Sequence, residues 1–115
     1  MKNLIFASAL LFALPGPAIA AEEPLDAFAK QVGYMASTIP FCGGPPEELT
    51  YFQGLILKML RPAKLTKAEL ARYKDLAEQA RVAAKPRGND CTDNGGLANA
   101  GKLQNLLKAL VAARQ

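Results

Sequence analysis

Two cysteines, Cys42 and Cys91, are the residues of this chain best suited to covalent chemistry, and they stand 49 positions apart. An even pair in an oxidising compartment reads as a disulfide. Catalytic dithiols instead use a Cys-x-x-Cys motif at a helix start, where the thiolate is stabilised. The spacing here fits a structural bridge that closes a loop of about fifty residues. By the chain-entropy argument such a loop is worth roughly 4 kcal/mol. The chain has no His and no Trp. The commonest general base near neutral pH is therefore missing, as are His-ligated zinc and haem. Two cysteines cannot build an all-cysteine zinc site. Ser37 is the only Ser beyond residue 20, and it has neither a base nor an S-x-x-K pattern around it.

The carboxylates give no better chemistry. Glu22-Glu23 and Glu47-Glu48 are adjacent pairs. Neighbours on a helix diverge by about 100°, whereas glycoside chemistry needs two acids facing one cleft. Both pairs sit at helix starts, where they complement the positive end of the dipole. Asp90, Asp93 and Asn94, with Gly95, could offer oxygens to Ca²⁺. They depart from the D-x-D-x-D-G loop, and no Glu follows twelve positions on. Asn94-Gly95-Gly96 is explained by a turn. The expectation is a protein that is not an enzyme and has no cofactor and no metal.

Two surfaces could bind rather than react. Phe41, Tyr51 and Leu57 would form an apolar edge beside Gly43 and Gly44. An edge stiffened by a disulfide and two prolines suits recognition of another protein, because little ordering entropy is lost. The alternative is an anionic envelope polymer or lipid held by Lys67, Lys74, Arg81 and Lys85, one stripe of a helix. Solvated faces paired at i,i+4, such as Lys74 with Glu78, would account for the stripe without any ligand. Nucleic acid is not expected, since no recognition helix carries an Asn, Gln or Arg array.

The elements that position these residues can be read in order. Met1-Lys2-Asn3 is a short basic start. Leu4–Leu14 is uncharged and mostly apolar, Pro15-Gly16-Pro17 breaks it, and Ala18-Ile19-Ala20 is a small-residue cut site. Residues 1–20 thus read as a cleaved secretory signal of bacterial style, pointing to the periplasm or the medium. Eleven residues are too few to cross about 30 Å of hydrocarbon, and no second long apolar run follows. Residues 21–115 read as a single helical domain. Its charge is uneven: residues 22–57 hold one base and five acids, and residues 58–115 hold twelve bases and five acids.

Leu25, Phe28, Ala29, Val32, Met35, Ala36 and Ile39 recur at helix spacing, with Pro40 expected to end the segment. A second helix starts at Pro46. Its apolar arc (Leu49, Tyr51, Phe52, Leu55, Ile56, Met59, Leu60) covers about half the circumference, which places it at the centre of the fold. The third has a capping box, Thr66 with Glu69, and a Leu65–Leu70 staple. Its alanines imply close packing on another helix. A polar loop is expected over residues 87–96, and then a fourth helix carrying Leu103, Leu106, Leu107 and Leu110. The fold class is all-α, a small compact four-helix bundle stapled by one disulfide.

This layout is similar to two groups of small periplasmic helical proteins. One disulfide at about this spacing resembles the HdeA-type acid-stress chaperones. Phe41-Cys42-Gly43-Gly44-Pro45 before an amphipathic helix resembles the Rap/Tai-type immunity proteins. The likeness spans about a quarter of residues 21–115 and carries over no functional residue. It implies a protein-binding role as an inhibitor, immunity factor or chaperone. With ten acids and no His, an acid-activated form would switch only below about pH 5.

Overall fold

A computed structural model describes residues 22–115. These residues form four α-helices and no strand: α1 (Pro24–Phe41), α2 (Pro46–Met59), α3 (Lys67–Ala83) and α4 (Asp93–Ala113). One 3-10 turn, Arg61–Ala63, links α2 to α3, and another, Gly88–Cys91, links α3 to α4. The expected all-α bundle is therefore present. The proposed leader lies outside the described residues. Among the described residues no helix is long and apolar enough to cross a membrane.

The centre of the bundle is α1, not α2 as the width of the apolar arc suggested. Leu25, Phe28, Ala29, Val32 and Ala36 of α1 are buried, and the helix packs against all three others. From α2 only Ile56 is fully buried. The reason is side-chain size. α1 offers Ala29, Gly33 and Ala36 among its large residues, so neighbours can come close. α2 is bulky almost all round and cannot turn every large side chain inward.

Gly33 shows how close that approach is. A Cβ there would lie 2.5 Å from the Ala80 Cβ and 2.8 Å from the Arg81 nitrogen, and closer still to the Ala77 carbonyl oxygen. Glycine costs a helix about 1 kcal/mol against Ala. Here that loss is offset by contact between the two backbones. The Phe28 and Tyr73 rings meet on the same face, with centroids 6.1 Å apart.

The helix ends follow local rules, with two departures from expectation. α1 runs through Pro40 to Phe41. Proline has no N–H to give to the carbonyl of Ala36, but the Cys42 N–H still donates to Thr38 O at 2.8 Å. A Schellman motif then stops the helix. Gly43 takes a left-handed φ of 93° and its N–H donates to Pro40 O, while the Gly44 N–H donates to Ile39 O at 2.7 Å. The second departure is α4, which begins at Asp93, inside the expected loop. Thr92 caps it, accepting from the Gly95 N–H at 3.0 Å. The start of α3 is as expected: the Glu69 N–H donates to Thr66 Oγ1, and the Thr66 N–H donates to Glu69 Oε1.

Two long-range ties close the bundle. Cys42 and Cys91 are bonded, with Cα atoms 5.5 Å apart. Arg114, at the end of α4, forks onto both Glu69 oxygens and donates through Nε to Ala63 O at 3.2 Å. This interaction pins the last residues of the chain to the corner between α2 and α3. The Thr66 N–H and Arg114 hold the Glu69 carboxyl below its usual range.

Candidate functional site

The flank built from the end of α1, the disulfide turn and α2 carries four of the six exposed large hydrophobics among the described residues. They lie between positions 41 and 57: Phe41 (53%), Tyr51 (68%), Leu55 and Leu57 (40%). Proteins of this kind tolerate scattered exposed apolar residues, but a run of them on one element marks an interaction surface.

A groove runs along each side of α2. Toward α3, a cleft of about 290 Å³ is floored by Val32, Gly33 and Ala36 and walled by Leu57, Tyr73 and Ala77. Lys74, Glu78 and Arg81 stand at its edge. Toward α4, a cleft of about 250 Å³ lies between Tyr51, Phe52 and Leu55 on one side and Met35 and Ile39 on the other. Tyr51 and Leu57 are about 120° apart on the helix, so they address different grooves. The apolar residues singled out from sequence thus share one flank but do not form one patch.

Phe41 sits on the last turn of α1. Gly43 and Gly44 form the turn at the disulfide, where they line a shallow basin with Leu97 of α4. Both glycines have conformational reasons to be there. Gly43 has a positive φ, and a Cβ on Gly44 would lie 2.8 Å from Ile39 Cγ2. Leu55 and Leu97 were not among the expected residues. Leu55 falls within the arc assigned to the core, and Leu97 follows glycines that read as loop. Period and turn chemistry alone could not expose either one.

The basic stripe is dispersed. Lys67 starts α3, Lys74 and Arg81 border the α2–α3 cleft, and Lys85 lies past the helix end in a separate basin. Arg81 forks onto Glu78, with Nε donating to Oε1 at 2.9 Å. Glu78 therefore pairs with Arg81 rather than Lys74, and this bond keeps its carboxyl low. Lys74 forms no ion pair among the described residues. Sequence reading also missed that Lys30, Arg87 and Lys102 gather around Lys85.

The acidic loop residue Asp90 is committed to structure. Its Oδ2 accepts from the Tyr34 hydroxyl and from the Arg87 N–H at 2.8 Å, and its Oδ1 accepts from Asn99 Nδ2 at 3.2 Å. The buried Gln31 donates to the Asn99 carbonyl at 3.2 Å, joining α1 to α4. Tyr34 first, and the Arg87 N–H next, lower the Asp90 carboxyl. The same bond raises the Tyr34 phenol. This accounts for Asp90 without calcium. Among the described residues no group of three or more His, Cys, Asp or Glu is placed to hold a metal ion.

Comparison with protein-family models, with curated proteins and with solved structures yields no match.

Proposed function

We propose that this chain is an exported, non-enzymatic helical protein that binds another protein, in the manner of an inhibitor, immunity factor or chaperone. The observation that carries this reading is the concentration of exposed apolar side chains, Phe41, Tyr51, Leu55 and Leu57, on the flank formed by α2 and the turn before it. That flank is preordered. The Schellman turn and the disulfide fix its start, and Ile56 and Leu60 anchor it in the core. A partner that seats an apolar side chain or helix in the clefts beside α2 would lose little entropy in ordering it. The bridge is compatible with an oxidising compartment, and with the apolar leader it supports the periplasm or the medium.

Anion binding along Lys67, Lys74, Arg81 and Lys85 has weaker support, because these four do not share a surface and Arg81 is engaged by Glu78. The two readings also differ in their salt response. Apolar recognition should hardly change with ionic strength, whereas an exposed cationic face should lose affinity steeply.

The test is site-specific photocrosslinking in the producing cell, with the photoreactive residue placed at Tyr51, Leu57 or Val82. Val82 is as exposed as Tyr51 but lies on α3. A discrete protein adduct from Tyr51 or Leu57, absent from Val82, is the expected result. Adducts of equal yield from all three sites, or none from α2, would overturn the reading.

A further inference from the structure

Four cations from three elements converge where no residue of α2 reaches: Lys30 of α1, Lys85 and Arg87 of the α3–α4 connection, and Lys102 of α4. They rim a basin of about 720 Å³, within the range of about 300–1,000 Å³ common for small-ligand sites. We propose that this basin binds a small polyanion carrying two or more phosphate-class groups.

The argument begins with charge. Two acids lie in the basin. Glu22 pairs with Lys30 at 2.5 Å, an exposed and therefore weak contact. Asp90 has both oxygens taken by Tyr34, the Arg87 N–H and Asn99. Four bases against two acids leave the basin at a formal +2. Lys85, Arg87 and Lys102 form no ion pair among the described residues. Such grouping is self-repulsive, and a bound anion relieves it.

The second part of the argument is placement. Arg87 is held at its backbone by the bond to Asp90, and its guanidinium lies beside the Tyr34 hydroxyl and the Asp90 carboxylate, so it stands at the basin rather than on a free loop. A guanidinium can grip two oxygens of one phosphate, and the lysine ammoniums supply point charges for a second. The basin is much larger than one phosphate group, which favours a ligand with spaced charges. Ala27 and Leu106 give it an apolar patch for the body joining them.

That chemistry has two sources, a soluble polyphosphate or the phosphate headgroup of an envelope lipid. Calorimetry with pyrophosphate examines the first. Cosedimentation with phosphatidylcholine vesicles, with and without cardiolipin, whose headgroup carries two phosphates, examines the second. Saturable binding in either arm supports the proposal and identifies the source. The double variant Arg87→Gln/Lys102→Gln should then weaken binding by at least about tenfold, since it removes two charge-assisted contacts. Lys58→Gln/Lys108→Gln removes the same charge elsewhere and should change it by less than about twofold. If the first variant loses its thermal midpoint, Lys85→Gln/Lys102→Gln replaces it, with the same loss expected. Equal losses in the basin and control variants, or no saturable binding in either arm, would overturn the proposal. A failed crosslink at α2 would leave it intact.

Discussion

α1 meets α3 and α2 in two different ways, and the difference separates the sealed side of this protein from its open side. Against α3, α1 presents Gly33 to Ala77 and Ala80, and the backbones come close enough to exclude a single added methyl group. Phe28 stacks toward Tyr73, and Asp26 pairs with Arg72 at 2.7 Å. Against α2, the contact is Ile56 and a few partly buried residues such as Phe52 and Met59, with a cleft on either side. Small side chains let two helices close on each other. Large ones hold α2 away and leave part of its apolar surface exposed. Interiors pack as tightly as crystals, so the same bulk that would fill a core becomes surface when the neighbour cannot follow its shape.

The disulfide joins these two sides, and breaking it should have the largest effect. It closes a loop containing both α2 and α3. Reduction, or Cys42→Ser with Cys91→Ser, is expected to lower unfolding stability by about 4 kcal/mol, read as the shift in urea midpoint at constant slope. Hydrogen exchange on the reduced protein sharpens the contrast. Amides of α2 should lose protection well before those of α3, which remains gripped by α1. Equal loss in both helices would mean that the two contacts are energetically alike.

Gly33→Ala comes next. In an open helix this change would add about 1 kcal/mol through propensity. Here the methyl meets Ala80 and the α3 backbone, and overpacking of that sort costs about 1–3 kcal/mol. The net expectation is a loss of up to about 2 kcal/mol in urea unfolding, with helix content preserved. A stabilised variant would show that α3 yields readily and that the seal is loose.

Short-range chemistry is legible in this sequence, and long-range fit is much less so. The capping box at Thr66 and Glu69 spans four residues and forms as read. The disulfide follows from the number of cysteines and their expected compartment. The four helices follow from apolar period. The identity of the central helix does not, because Gly33 makes sense only beside Ala77 and Ala80, and nothing local announces that pairing. Asp90 is similar. Within the loop it reads as a turn former or a cation ligand. Its true partners, Tyr34 and Asn99, lie 56 and 9 positions away. The basic basin was missed for the same reason: its four cations are scattered between positions 30 and 102 and meet only in the fold.

Asp90 also sets a smaller, pH-dependent prediction, at the joint between α1 and α4. Its folded carboxyl titrates below the ordinary aspartate value because Tyr34, the Arg87 N–H and Asn99 favour the ionised form. The stabilisation is therefore fully present above about pH 4 and is lost as pH falls through the lower folded value. Asp90→Asn should be less stable than the parent at pH 7, and the gap should narrow on acidification to about pH 2.5. Urea midpoints at the two pH values measure it. A gap that stays constant would show that the carboxylate contributes shape rather than charge. Glu69, held low by Thr66 and Arg114, moves in the same direction and is present in both proteins, so it cancels in the comparison.

The smallest effect is the counterpart of Gly33 on the open side. Gly54 lies mid-helix in α2, and a Cβ there would meet nothing within 4 Å. Gly54→Ala should therefore recover helix propensity with no clash, raising stability by up to about 1 kcal/mol. A thermal midpoint a few degrees higher is the expected reading, opposite in sign to Gly33→Ala. The pair makes a matched experiment: one methyl, the same residue types, two helices of one bundle. If the added methyl at Gly54 also weakens binding of the protein captured through Tyr51 or Leu57, the partner approaches the outer face of α2 as well as its grooves. If binding is unchanged, recognition is confined to the grooves, and the open face of α2 is solvent in the complex as it is in the free protein.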